Sequence, residues 1–504
     1  MTTLRKCKIV IQNEVDCFIT NLKDDHILYF YEEYGMFAAN HFFNPKFKLG
    51  SWDGKIRFFH KTGKTHVNLL DDIIPRLIGL RYDVEIDDRR EGEAIFPFPI
   101  TETFFAERGI KNPDNGEDWI MRNYQVEMVN AMIDNAGGIG ICGTGGGKTS
   151  MTAALALVYG EFNMRSIIIV PDKNLTEQTV EEYNFFGVDV GQYSGELKDL
   201  DHMHVVSTWQ ALQNNPTIIK DFDMVIVDEC HGLKGQVLTK LLNEHGRDIS
   251  YRFGVTGTLP KAETDAMAVR IAVGTVQYTK PAHELIEEKY LASLHIEILQ
   301  LESDFKKEYE EYKSNTVGKP VTYRKFKDEY FPDYTSEKQF NQSNEARLQY
   351  MARHIEKKRD EGKGNVLCLV DGVRFGKKLT KYVEGAIFLS GANKMEDRKR
   401  VYDLFKENDN LVVIATVQIA STGLNIKRIY NMMFIDVGKS FVRVIQTIGR
   451  GLRKAPDKDH VDVTDICSDL KYGRKHMAER VKFYKEAKYN FTKKTVDCST
   501  PDVL

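Results

Sequence analysis

Apolar residues along this chain fall into short continuous runs separated by helix-like stretches, and the runs form two series. The first comprises Ile139–Cys142, Ile167–Val170, His204–Thr208, Met224–Val227 and Tyr251–Val255; the second comprises Val366–Val370, Ala386–Leu389, Leu411–Ala415 and Met432–Ile435. Runs of this length lack the alternation of a half-solvated strand, so they predict strands buried on both faces, as in parallel sheets covered by helices. Helical stretches such as Ala153–Leu157, Leu175–Gln178, Trp209–Leu212 and Glu396–Lys406 separate them. The pattern predicts two open parallel α/β sheets in tandem. Residues 1–100 differ, with shorter alternating stretches (Lys8–Ile11, Lys55–Phe59) that suit a small α+β domain. The Gly-, Pro- and Asp-rich stretch 91–118 reads as a linker. The expected division is 1–100 for the small domain, 101–280 and 361–468 for the two sheets, 281–360 for charged lead-in helices or an insertion, and 469–504 for a basic tail with a helical extension. Within 281–360, Thr316 to Phe340 reads as an aromatic loop.

The chain has 504 residues, room for three or four domain-sized units. Its seven cysteines are scattered and contain no C-x-x-C pair, which argues against a disulfide framework or zinc site and for a reducing compartment. No apolar run is long enough for a signal peptide or a membrane span, so the expectation is a soluble protein of the cytoplasm. A net charge of −3 says little, but its distribution changes the picture. Between 41 and 66 six Lys/Arg, among them Lys46, Lys48, Lys55 and Arg57, stand against Asp53 alone, interleaved with Phe42, Phe43, Phe47, Trp52, Phe58 and Phe59. With Asp53-Gly54 between the runs, this reads as a hairpin that grips a phosphate backbone or, alternatively, a half-buried hairpin with a solvated lysine face. The stretch 471–494 carries nine Lys/Arg against two Glu and predicts a basic amphipathic helix, lying on a nucleic-acid backbone or packed along the second sheet.

The candidate chemistry sits at the ends of the runs. After Ile139–Cys142 comes Gly143-Thr144-Gly145-Gly146-Gly147-Lys148-Thr149 and then strong helix formers, the strand–loop–helix context of a phosphate-binding loop. Glycines let backbone N–H groups approach phosphate oxygens, Lys148 would reach the β- and γ-phosphates, and Thr149 would ligate Mg²⁺. Met224–Val227 ends on Asp228-Glu229, read as a second Mg²⁺ group and as the base that orients and deprotonates an attacking water; the alternative is a pair that only caps a helix. Gln125 could read an adenine edge through its paired donor and acceptor. Thr256-Gly257-Thr258 follows the next strand and could relay the state of the acidic pair. Arg450 and Arg453, three apart and so on one helical face, would act as arginine fingers on the γ-phosphate or stand as a surface pair.

In this order and at these spacings the motifs closely resemble those of the superfamily 2 helicases and translocases. GTGGGKT is similar to motif I, with Cys142 where Ala is usual, VPDKNLTEQ to motif Ia, STWQAL to motif Ib, DECH to motif II and TGT to motif III. NVLCLVDGVRFGKKL resembles motif IV, IATVQIASTGLNI motif V and QTIGRGLRK motif VI. The resemblance spans about 119–465, and RNYQ, TGT and GSWDGKIRFF are most similar to the UvsW-type phage recombination helicases. It implies two RecA-like domains clasping one ATP with Mg²⁺, Lys148, Asp228 and Glu229 on one wall and Arg450 and Arg453 on the other. Arg122, Gly423 and Asn425 would join the nucleotide contacts, and His231, Thr256, Thr258 and Gln446 would couple nucleotide to nucleic acid. Pro171, Thr208, Gln210, Arg374, Gly391, Thr416 and Gln418 would hold one nucleic-acid strand. The implied function is an ATP-driven monomeric motor on branched or forked DNA with single-strand contacts, branch-migrating junctions and regressing forks beside recombination or replication proteins. The alternatives are an ATP-dependent RNA remodeller and a non-motor nucleotide switch.

Overall fold

The computed structural model describes residues 4–91, 95–113, 115–234, 236–315, 321–361, 364–393, 395–421, 428–438, 448, 452 and 458–498. The chain divides into two compact units, one holding residues 1–280 apart from 144–146 and the other holding the rest.

The first unit begins with a small α+β domain. Strands β1 (Arg5–Ile11), β2 (Asp16–Thr20), β3 (Gly35–Phe37), β4 (Lys55–Arg57), β5 (Lys64–His66) and β6 (Tyr82–Asp88) belong to it. Four of them form a sheet in the order β5-β2-β1-β6, with β1 antiparallel to β2 and parallel to β6. Alternation in β1 buries Cys7, Ile9 and Ile11 against Phe30 of helix Asp24–Glu33 and Ile73 and Leu77 of helix Leu70–Gly79. The basic segment does not fold as the expected Asp-Gly hairpin. Asn44 caps a short helix (Pro45–Lys48) by accepting from the Lys46 N–H, so the chain makes a helical excursion before Asp53-Gly54, and β4 returns to pair with β3. Pro45 at the first helical position favours that outcome over a strand.

Strands β7 (Gly137–Cys142), β8 (Ser166–Val170), β9 (Val190–Ser194), β10 (Leu197–Lys198), β11 (His204–Thr208), β12 (Met224–Asp228), β13 (Tyr251–Thr256) and β14 (Val276–Lys280) form an eight-stranded sheet ordered β10-β9-β11-β8-β12-β13-β7-β14. All pairings are parallel except that of β10 with β9. The sheet is covered on both faces, which is why β8 and β12 read as apolar runs and why all five residues of β11, His204, Ser207 and Thr208 included, are buried.

The second unit holds a seven-stranded, all-parallel sheet. Its members are β15 (Ser293–Glu302), β16 (Val366–Val370), β17 (Ile387–Leu389), β18 (Val412–Thr416), β19 (Asn431–Ile435), β20 (His460–Ser468) and β21 (Phe491–Asp497), in the order β17-β18-β16-β19-β20-β15-β21. The boundaries expected from sequence were too narrow. Ser293–Glu302, inside the supposed lead-in, is a strand flanked on both sides, by β20 and β21, and its Leu294, Ile296, Ile298, Leu299 and Leu301 are buried. The supposed loop 316–340 contains helices Tyr323–Tyr330 and Tyr334–Ser343, capped by the side chains of Thr322 and Asp333. Their aromatic faces form a satellite core of Phe305, Phe326 and Leu470 with Tyr309, Tyr312 and Phe340. The basic stretch is the last crossover of the sheet: helix Lys471–Glu486 leads into β21. Its Met477, Arg480 and Tyr484 are buried, while Lys471, Lys475, Lys482 and Lys485 face solvent. Arg480 is held by Asp465 of β20 through two bonds of 2.8 Å, and the Tyr484 hydroxyl donates to the same carboxylate at 2.9 Å.

Among the described residues, no helix is long and apolar enough to cross a membrane.

Candidate nucleotide-binding and hydrolysis site

The site grows from the carboxyl ends of β7, β12 and β13, neighbours in the first sheet. Side chains and loops at that edge of a parallel sheet point away from the covering helices, so it is where open α/β sheets bind ligands. β7 runs into the glycine loop, which ends where helix Lys148–Gly160 begins. Gly145 and Gly147 hold φ of +89° and +84°, a left-handed backbone that side chains other than glycine rarely adopt. At Gly147 a Cβ would also run into the Gln125 amide. A helix N-terminus preceded by such a loop directs N–H groups outward and attracts anions.

Gln125 is buried, and its Oε1 accepts from the Arg122 N–H at 2.9 Å. Its amide therefore caps its own helix and leans on the loop at Gly147, a structural use of the acceptor that adenine reading would need. Arg122 in turn donates from Nη1 to the Tyr124 hydroxyl at 2.9 Å. Cys142, the departure from the usual motif, lies fully buried at the end of β7, and burial pushes its thiol up to about 11 against the pull of Lys148, Arg122 and Lys280. Lys280 was not anticipated. It ends β14 opposite Cys142, and its carbonyl accepts from the Gly143 N–H at 2.9 Å, fixing the start of the loop. A lysine closing an edge strand carries no motif signal.

The acidic pair ends β12. Glu229 adopts φ of +49°, uncommon for a residue with a Cβ, and its N–H bonds Asp228 Oδ1 at 2.9 Å. The strained turn brings its carboxylate to 3.6 Å from Lys148 Nζ and 3.2 Å from His231 Nδ1. The Thr256 hydroxyl, at the end of β13, lies 3.0 Å from His231 Nδ1, 3.4 Å from Glu229 Oε2 and 2.9 Å from the Thr258 carbonyl. Loop, acidic pair and threonine turn thus meet at one point. Burial raises the Asp228 carboxyl to about 6; Glu229 adds to the rise and Lys148 opposes it. A buried carboxylate held up in this way is relieved by a cation, and Thr149, the second residue of the helix that follows the glycine loop, carries a hard oxygen donor of the kind that suits Mg²⁺.

The proposed nucleic-acid contacts fare unevenly. Thr208 is buried, and its hydroxyl caps helix Trp209–Asn214 by accepting from the Ala211 N–H at 3.2 Å. Pro171 is half-buried and Gln210 exposed. In the second unit Arg374, Gly391 and Gln418 are exposed, whereas Thr416 is buried and its hydroxyl has no hydrogen-bond partner among the described residues. In the small domain Lys55 and Arg57 pair with Glu32 at 3.0 and 3.2 Å, and Arg57 also with Asp53 at 2.6 Å. Lys46 and Lys48 are exposed, as are Phe42 and Phe43 in the same segment. Gly423, Asn425, Gln446, Arg450 and Arg453 lie outside the described residues.

Three family models match the chain: "DNA helicase UvsW, N-terminal" over 15–87, "Type III restriction enzyme, res subunit" over 118–261, and "Helicase conserved C-terminal domain" over 346–455. The ATP-dependent DNA helicase uvsW of Enterobacteria phage T4 is 24% identical over 499 residues, covering 91% of this chain and 93% of its own. The putative helicase 22 of Sulfolobus islandicus filamentous virus is 21% identical, covering 78% of this chain and 71% of its own. Among solved structures, a fragment of a putative HsdR subunit of a type I restriction enzyme from Vibrio vulnificus superposes with a TM-score of 0.54 at 15% identity, covering 76% of this chain and 70% of that one.

Proposed function

The chain belongs to the superfamily 2 helicases, ATP-hydrolysing enzymes of the kind its UvsW-like relatives represent, and from that premise we propose that it is a motor for branched DNA. In this reading the motor migrates junctions, regresses forks and unwinds duplex in recombination, repair and replication. The observation that carries the reading is the convergence of Lys148, Glu229, His231 and Thr256 within hydrogen-bonding and ion-pair distances. A family model named for the N-terminal part of a DNA helicase, matching 15–87, supports the choice of DNA.

The chemistry follows from the geometry. The loop N–H groups and the helix N-terminus bind the triphosphate, and Lys148 exchanges its contact with Glu229 for the β- and γ-phosphates. That exchange frees the Glu229 carboxylate to orient water in line with the γ-phosphorus and to take its proton. Thr149 and Asp228 would hold Mg²⁺, which supplies charge neutralisation at the phosphates when bound. His231 and the Thr256 hydroxyl keep the Glu229 carboxylate turned toward the reacting group. Arg450 and Arg453 are assigned the charge that develops on the transferring phosphoryl group. Lys46 and Lys48 are the strongest candidates for backbone contacts in the small domain, and Arg374, Gly391 and Gln418 in the second sheet domain. Contacts of this kind address phosphate and sugar, so binding is expected to be sequence-tolerant and salt-sensitive.

The test is ATP turnover with forked or four-way DNA, linear duplex and structured RNA at matched nucleotide concentration. Stimulation that is largest with the branched DNA supports the proposal. Equal or greater stimulation by RNA replaces it with an RNA remodeller, and no stimulation by any nucleic acid makes the site a switch.

A further inference from the structure

The helix Glu263–Val273 serves two cores at once. Ile271 is buried in the core of the small domain with Leu69 and Ile73, and Met267, one turn earlier, packs on the same cluster. On the helix's other side Val269, Ala272 and Val273 belong to the core of the first sheet with Val225, Val227 and Cys230. Cys230 directly follows Glu229. Val273 and Cys230 meet over Gly254, so closely that a Cβ there would lie 2.9 Å from Val273 Cγ1 and 3.0 Å from Cys230 Sγ.

Polar contacts fasten the small domain to this helix. Arg270 bonds Asp72 at 2.6 Å, lies 3.5 Å from Asp71 and donates from Nε to the Asn68 carbonyl at 3.0 Å. Asn68 returns a bond from Nδ2 to the Ile271 carbonyl at 3.0 Å. The same C-terminal end of the helix is held from the first sheet by Arg252. Its buried guanidinium donates to the Ala272 carbonyl at 2.8 Å and to the Leu242 carbonyl at 3.0 Å. A helix held at so many points moves as a rigid lever, since packed interiors transmit displacement rather than absorb it.

We propose that Arg270 is a positioning residue for the nucleic-acid-dependent stimulation of ATP hydrolysis: it ties the small domain to helix Glu263–Val273, and through Val273 and Cys230 a shift of that domain on binding nucleic acid re-aims the turn that carries Glu229. Nucleic acid held by the small domain then alters the geometry of the carboxylate without touching it. The role rests on the proposed nucleic-acid-dependent ATPase.

The test uses the full chain with Arg270→Gln, which removes the charge, and Arg270→Lys, which keeps a partner for Asp72. Arg270→Gln is expected to retain basal turnover and its KM for ATP while losing at least about fivefold of the stimulation seen at saturating forked DNA. Arg270→Lys is expected to recover most of it. Hydrogen exchange without nucleic acid is a second readout, with faster exchange at Cys230–Gly232 expected in Arg270→Gln alone. Unchanged stimulation overturns the proposal, as does a fall in which basal turnover and melting temperature drop in proportion, because that marks a purely structural residue. If the wild type is not stimulated by DNA, the motor reading fails, and exchange at Cys230–Gly232 still decides for or against the lever.

Discussion

Lys148, Glu229, His231 and Thr256 form a closed set of contacts whose members come from three separate chain segments. Removing either end of the ion pair has different consequences. Lys148→Ala deletes a phosphate ligand and should abolish turnover together with nucleotide affinity. Glu229→Gln keeps the shape and loses the base, so turnover should vanish while nucleotide affinity persists; fluorescent-nucleotide binding alongside phosphate release separates the two. A second residue-scale expectation concerns acid. Burial lowers His204 to about 4, and likewise His354, so both refuse protons in the folded state that the unfolded chain accepts near its ordinary 6.5. A group with a depressed histidine pKa gives stability that is full above 6.5 and lost as pH falls. Each should cost about 1.5 kcal/mol between pH 6.5 and 5. Melting temperature followed across that range should fall more steeply for the wild type than for His204→Asn.

At the scale of elements, the ends of the second sheet domain are where sequence and structure part. Motif-bearing strands were legible because both-face burial writes an unbroken apolar run, as in Ile167–Val170 and Met224–Val227. β15 was not, because its LHIEILQL pattern sits amid charged, helix-prone sequence and carries no motif. β21 was hidden further, since FTKKTVD shows mostly solvent-facing polar residues at the edge of its sheet. The acidic pair and the threonine turn were recognisable by residue type, but the left-handed turn at Glu229 and the carbonyl of Lys280 depend on tertiary pairing that no local pattern encodes. Of the two readings of the basic stretch 471–494, lying on a nucleic-acid backbone or packing along the second sheet, the buried Arg480 fits the second, which a count of charges alone did not select. Arg480→Ala leaves Asp465 buried without its cation, with only the Tyr484 hydroxyl still donating to it, and should cost about 3–5 kcal/mol. Truncation after 468 removes both that helix and β21, and should unfold the second sheet domain rather than merely weaken DNA binding. Limited proteolysis and circular dichroism of either variant check this; a truncated chain that stays folded contradicts it.

Over the whole molecule, the basic residues of the small domain are not equivalent, and that inequality makes a quantitative prediction. Lys55 and Arg57 have carboxylate partners at 2.6–3.2 Å and would have to give these up to meet phosphate. Lys46 and Lys48 stand exposed at a short helix without a carboxylate partner among the described residues, so hydration is their main competitor for a phosphate. Each phosphate neutralised releases condensed counterions, so the logarithmic salt dependence of DNA affinity counts such contacts. Replacing Lys46 and Lys48 together by alanine should flatten that slope by about 2, whereas replacing Lys55 and Arg57 should flatten it by less than half as much. Fluorescence anisotropy of a forked DNA titrated at several salt concentrations measures both. Equal slopes for the two double variants would mean that the ion pairs to Glu32 and Asp53 dissolve on binding, and a wild-type slope in both would move the grip out of the small domain altogether.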